Sequence, residues 1–111
     1  MGEGRHCELA VSDLPEERNP LEAHASFITK ELPSARKALE TETIGSLTLV
    51  LAPAASQHDA WRRAIAGDLA RAYTPKRVNI AAGARGASLD RVLEYLRDAP
   101  GVTGHYVQAH D

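Results

Sequence analysis

The sequence predicts an α/β domain, a four-stranded parallel sheet with helices on both faces in the order β-α-β-α-β-α-β. Leu47-Thr48-Leu49-Val50-Leu51-Ala52 is a continuous apolar run of strand length, the pattern of a strand covered on both faces. Arg77-Val78-Asn79-Ile80-Ala81 has the same character. Between the strand candidates the apolar residues recur at helical spacing, over lengths that suit the crossover two parallel neighbours require. Right-handed crossovers are expected throughout.

The first strand is read at residues 6–11 (HCELAV), which alternate loosely and stop at Asp13-Leu14-Pro15. Glu16-Glu17-Arg18 reads as a solvated loop. Asn19 is an N-cap, Pro20 takes a first helical position where no amide is needed, and Glu22 is the third-position partner of a capping box. Leu21, Ala25, Ile28 and Leu32 make an apolar stripe. Pro33 cannot donate to the preceding turn, so the helix is expected to bend or divide before Ala35, Ala38 and Leu39 continue it.

Gly45 and Ser46 turn the chain into the second strand. Ser56 with Asp59 reads as another capping box, and Trp61, Ala64, Ile65, Leu69, Ala72 and Tyr73 form one helical face that Pro75 ends. The third strand leads into AAGARGA, where Gly83 and Gly86 offer backbone angles closed to other residues. Ser88 is read as the cap of a last helix with Leu89, Val92, Leu93 and Leu96 inside, and Pro100-Gly101 turns the chain into a final strand at residues 105–109.

The 111 residues suit a single domain, 1–111, and 43% hydrophobic with 25% charged residues is the composition of a chain that folds. Thirteen basic against fifteen acidic residues, a formal charge of −2, provide no field for a polyanion, so no nucleic-acid partner is expected. Cys7 is alone, which excludes an intrachain disulfide, and MGEGRHCEL has no signal-peptide core. No apolar run approaches the ~20 residues of a membrane span. A cytoplasmic protein with no membrane partner is expected.

Longer stretches carry a resemblance. "FITKELPSARKALETETIGSLTLVLAPA", "AWRRAIAGDLARAYTPKRVNIAAG" and "YLRDAPGVTGHYVQAHD" follow in order what is found in the C-terminal half of short-chain dehydrogenase/reductases. The second is similar to that family's helix leading into its RVN strand, the third to its last helix and the Thr-Gly before its final strand. The resemblance implies a Rossmann-like half-fold. It also implies that the dinucleotide half belongs before these residues. No G-x-x-x-G-x-G occurs, and no cofactor is expected.

Family chemistry uses a Tyr with a Lys four residues on, the Lys helping the Tyr to protonate a carbonyl. Matched back without a gap from Asp68-Leu69-Ala70, those positions hold Leu51 and Ala55, which move no proton. The family's Pro-Gly after the RVN strand is Ala82-Gly83. The resemblance therefore implies fold and descent, while the residues at those positions argue against oxidoreductase activity. Because the last helix and strand commonly form a subunit interface in the family, a homodimer through Leu89, Val92, Tyr95, Leu96, Tyr106 and Val107 is expected, or docking on a dehydrogenase-like protein.

One ligand site is suggested by the residues themselves. Gly83, Arg85, Gly86 and Ser88 lie where a strand ends and a helix begins, so Arg85 and free amides there are a candidate anion site. A flexible glycine turn with a solvated Arg85 accounts for the same residues and is the favoured reading. His6, His105 and His110 match no compact metal-ligand spacing, and no metal is expected. His24 and His58 read as exposed, Cys7 as a small buried apolar residue, and Trp61 as core, with an interface role as the alternative.

Overall fold

The computed structural model describes residues 4–11 and 19–110; the expected turn at Asp13-Leu14-Pro15 and the loop Glu16-Glu17-Arg18 lie outside them. β1 (Arg5–Ala10) pairs with β2 (Ile44–Leu51), β2 with β3 (Arg77–Ala82), and β3 with β4 (Tyr106–Gln108), every pair parallel and the strands in sequence order across the sheet. The expected four-stranded parallel α/β architecture is what forms. β4 is short, but the bonds from Ile80 N–H to the His105 carbonyl and from Ala109 N–H to the Ala82 carbonyl extend its pairing over residues 105–109.

Asn19 caps α1 (Pro20–Ser26) by accepting from the Glu22 amide at 2.8 Å. Pro33 does not stop the helical path, but the α-helix is divided just ahead of it. A π-helical turn, Phe27–Glu31, lies just ahead of α2 (Leu32–Leu39) and widens the coil where the proline ring would meet a carbonyl one turn back. The Lys76 ammonium donates to the carbonyls of Leu39 and Thr41, closing the end of α2 with a positive charge.

The second capping box does not form. Ser56–His58 is a 3-10 turn, α3 runs from Asp59 to Ala72, and no side chain caps it. Nor is Ser88 a cap, because α4 (Ala87–Asp98) starts one residue earlier and Gly86 holds the capping position. Ser88 accepts instead from Arg91 at 3.3 Å.

Side-chain alternation along the strands divides the sheet's two faces. Leu49 and Leu51 of β2 with Ile80 and Ala82 of β3 pack against Phe27, Leu39, Trp61, Ile65 and Leu69 of the helices α1 to α3. Val50, Ala81 and Val107, partners in register, meet Leu89 and Leu96 of α4 on the other face. Fully burying each such aliphatic or aromatic side chain contributes about 1.5–3 kcal/mol.

Helices on both faces were expected, but not by this route. With strands laid down in sequence order, crossovers of one hand put every helix on one face. α4 lies opposite the others, so the β3-α4-β4 connection has the reverse hand of the two before it, correcting the uniformly right-handed set. The cause is occupancy: α3 already covers β3 and β4 on its face, and Val50-Ala81-Val107 is the apolar patch left for α4.

Candidate functional site

Open α/β sheets take ligands outside the carboxyl ends of their strands. Here the ends of β2, β3 and β4 surround a crevice of about 210 Å³, walled by Pro53 and Ala54, by Ala82 and Gly83, and by Tyr106, Gln108 and His110. Gly83 is needed there for close approach, since a Cβ on it would stand 2.9 Å from the Ala109 Cβ.

A polar network supports one wall. Arg62, four residues before the core residue Ala66 on α3, is turned inward and only 2% exposed. Its Nη1 donates to the Ala52 carbonyl at 2.9 Å and to the Tyr106 hydroxyl at 3.2 Å. Its guanidinium carbon lies 5.6 Å from the centre of the Trp61 ring and 5.9 Å from that of Tyr106, so aromatic faces replace much of its lost hydration. Gln108 Nε2 donates to the same hydroxyl at 3.1 Å and to Asp59 Oδ1 at 2.8 Å. Among the described residues the Nε of Arg62 has no hydrogen-bond partner, and no carboxylate pairs with this cation.

His58 and His24 are not the exposed residues expected. His58 is buried, accepting at Nδ1 from the Trp61 indole at 3.0 Å, and His24 stacks on Trp61 with ring centres 5.3 Å apart. Both correct a reading based on polarity alone. His58 stands three residues before Trp61 and four before Arg62, so helical spacing places all three on one face. The same spacing was the available signal for Arg62, and nothing local in the sequence points to its partners Tyr106 and Gln108.

The proposed anion loop does not converge. Gly83 borders the crevice, Arg85 is exposed and makes no hydrogen bond or ion pair among the described residues, and Ser88 borders a separate shallow hollow with Val92, Tyr95 and Gln108. Gly86 does take an angle that favours glycine, φ +151°. Among the described residues no group of three or more His, Cys, Asp or Glu is placed to hold a metal, and no helix is long and apolar enough to cross a membrane.

The expected interface residues separate into distinct surfaces. Leu89 and Leu96 are buried under α4 against the sheet and are corrected to core; Val92 and Val107 are half-buried in the same cluster. Tyr106 points to the α3 face, with Arg62 and Arg63 over its ring, and not to the α4 face. Tyr95 is 55% exposed.

The Tyr and Lys positions also fall differently. Leu51 ends β2 inside the core, and Ala55 precedes the 3-10 turn, so the ungapped match places both off the helix where a proton-transfer pair would sit. Residues 51–72, which include all of α3, contain neither Tyr nor Lys.

The motifs that carried the resemblance form a clamp. Val78 N–H donates to the Thr103 hydroxyl at 2.9 Å, and Gly104 N–H donates to the Val78 carbonyl at 2.7 Å. Asn79, 1% exposed, donates to the Val102 carbonyl at 2.9 Å and accepts from the His105 amide at 3.0 Å. Arg77 meanwhile donates to the carbonyls of Leu96, Arg97 and Ala99 at the end of α4. Arg-Val-Asn and Val-Thr-Gly are two halves of one device that docks the last connection on β3.

A model of the family described as Short chain dehydrogenase-like protein matches residues 9–109. No curated protein and no solved structure matched the chain.

Proposed function

The chain belongs to the short-chain dehydrogenase-like family, and from that premise we propose that it is a non-catalytic module of this fold that acts by pairing with a second copy of itself. The open edge of β4 beside α4 carries the reading. Beyond β3, β4 has no further strand neighbour among the described residues, and Tyr106-Val107-Gln108 bears no charge along that edge. Tyr95, Val92 and Ala109 line the adjoining hollow. The opposite edge, β1, is blunted by exposed Arg5 and Glu8, a common protection against pairing. A two-fold axis beside β4 would set α4 against α4 and cover both Tyr95 rings at once. The lack of Tyr and Lys in residues 51–72 supports the non-catalytic part of the reading.

Light scattering on a sizing column at several concentrations tests this. The expected mass is twice 12.0 kDa, and Tyr95→Asp is expected to halve it without loss of folded signal. A wild-type monomer at every concentration would refute self-association, and capture of a dehydrogenase-like protein would be the next experiment.

A further inference from the structure

The crevice at the carboxyl ends of β2, β3 and β4 has a feature that self-association does not use. The Tyr106 hydroxyl accepts two hydrogen bonds, from Arg62 and from Gln108, and among the described residues its own proton has no acceptor. A phenol holds one proton and two lone pairs, so with both lone pairs occupied the proton is the group left to satisfy. Tyr106 lines the crevice, where an incoming acceptor would meet it.

The charges around that hydroxyl favour an anion. The guanidinium carbons of Arg62 and Arg63 lie 5.9 and 6.0 Å from the Tyr106 ring centre, while the carboxylate joined to the network is that of Asp59, beyond the Gln108 amide. Arg62 is buried with no carboxylate partner among the described residues, a state that a nearby negative charge relieves. Apart from Gln108 and the imidazole of His110, the rest of the wall is small and apolar, with Pro53, Ala54, Ala82, Gly83 and Ala109, and the volume of about 210 Å³ lies below the range of drug-sized ligands.

We infer that this crevice binds a small organic carboxylate, whose oxygen accepts the Tyr106 proton and whose apolar body rests on Pro53, Ala54 and Ala109. A charge-assisted bond from a hydroxyl to a carboxylate is stronger than its neutral counterpart, and two N–H donors on the phenol oxygen polarise the O–H further. The site is distinct from the exposed Arg85 loop, and the inference does not rest on self-association.

The test is an amide-resolved NMR titration of the full chain with benzoate, and in parallel with benzamide, which has the same planar shape without the charge. Saturable shifts are expected at Gly83, Tyr106, Gln108 and Ala109, with benzoate bound more tightly than benzamide. Tyr106→Phe keeps the ring and removes the proton, and is expected to weaken benzoate by about tenfold or more. Ala54→Leu, which fills the crevice from a loop and leaves Tyr106 in place, is expected to abolish the shifts, and it decides the matter if the Phe variant does not fold. Absence of saturable shifts, or benzoate binding unchanged in a folded Tyr106→Phe or Ala54→Leu variant, overturns the site. Equal binding of benzoate and benzamide overturns the assignment of a carboxylate.

Discussion

Arg62 on α3 and Tyr106 on β4 meet twice, through a 3.2 Å hydrogen bond from Nη1 to the hydroxyl and through the guanidinium lying over the ring with its carbon 5.9 Å from the centre. The pair fastens the last strand to the helix beneath it, and its two contacts can be removed one at a time. Tyr106→Phe leaves the ring and is expected to cost about 1 kcal/mol. Tyr106→Leu also removes the aromatic face from a buried cation and should cost roughly another 1–2 kcal/mol. Urea midpoints at constant slope report both, and equal midpoints for the two variants would mean that the ring gives Arg62 nothing.

Asn79 is expected to matter for stability and not for chemistry. Its amide serves the Val102 carbonyl and the His105 N–H, and Asn79→Ala leaves both without that partner, at about 1–3 kcal/mol for each buried group. Thr103→Val removes the acceptor of the Val78 amide from the same clamp. The two substitutions are therefore expected to be non-additive, with a coupling of about 0.5–3 kcal/mol in a double-mutant cycle. Strict additivity would show that the two halves of the clamp act separately.

Much of this fold is legible in the chain because hydrophobic periodicity is local. The run from Leu47 to Ala52 and the stripe through Trp61, Ile65 and Leu69 identify a doubly covered strand and a helix without knowledge of what they touch. The side of the sheet taken by α4 is not local. Its stripe fits either face, and the choice depends on α3 having filled one of them. The crevice was hidden for a related reason. Arg62 and His58 obey helical spacing, but their polarity argues for solvent until Trp61, Ala52 and Tyr106 are seen to satisfy part of their demands. Tyr106 was expected at an interface with Val107, and a three-residue strand offers too little alternation to show that its ring packs toward α3 while Val107 packs toward α4.

Two glycines in the last connection should respond oppositely to alanine. Gly104 takes φ +81° while donating to Val78, and an added Cβ would meet Ala70 at an ordinary 3.5 Å, so the cost is in the backbone and not in space. Gly104→Ala is expected to lose about 1–2 kcal/mol. Gly101 lies in open space without a left-handed angle, and Gly101→Ala should be neutral or should stabilise by about 0.4–1 kcal/mol through the unfolded chain. Thermal melts that moved both variants in the same direction would contradict this assignment.

The burial of His6 gives stability a pH dependence whose sign can be worked out. Its ring is 13% exposed and hydrogen-bonded at Nδ1 to Ser46 at 2.6 Å. Burial holds its pKa below the ordinary 6.5; Glu8, 3.9 Å away, opposes that shift, and Arg77 adds to it. Above the unfolded pKa both states carry a neutral ring and the protein has its full stability. As the pH falls through about 6.5 the unfolded chain takes up the proton first, so stability drops until the folded pKa is reached and the loss levels off. His6→Gln can retain the bond to Ser46 and does not titrate. The difference in urea midpoint between the two proteins is expected to be constant above about pH 7.5 and to shift in favour of the variant toward pH 5. A difference that stayed constant across the whole range, or shifted in favour of the wild type on acidification, would show that the imidazole in β1 is not held neutral by its burial.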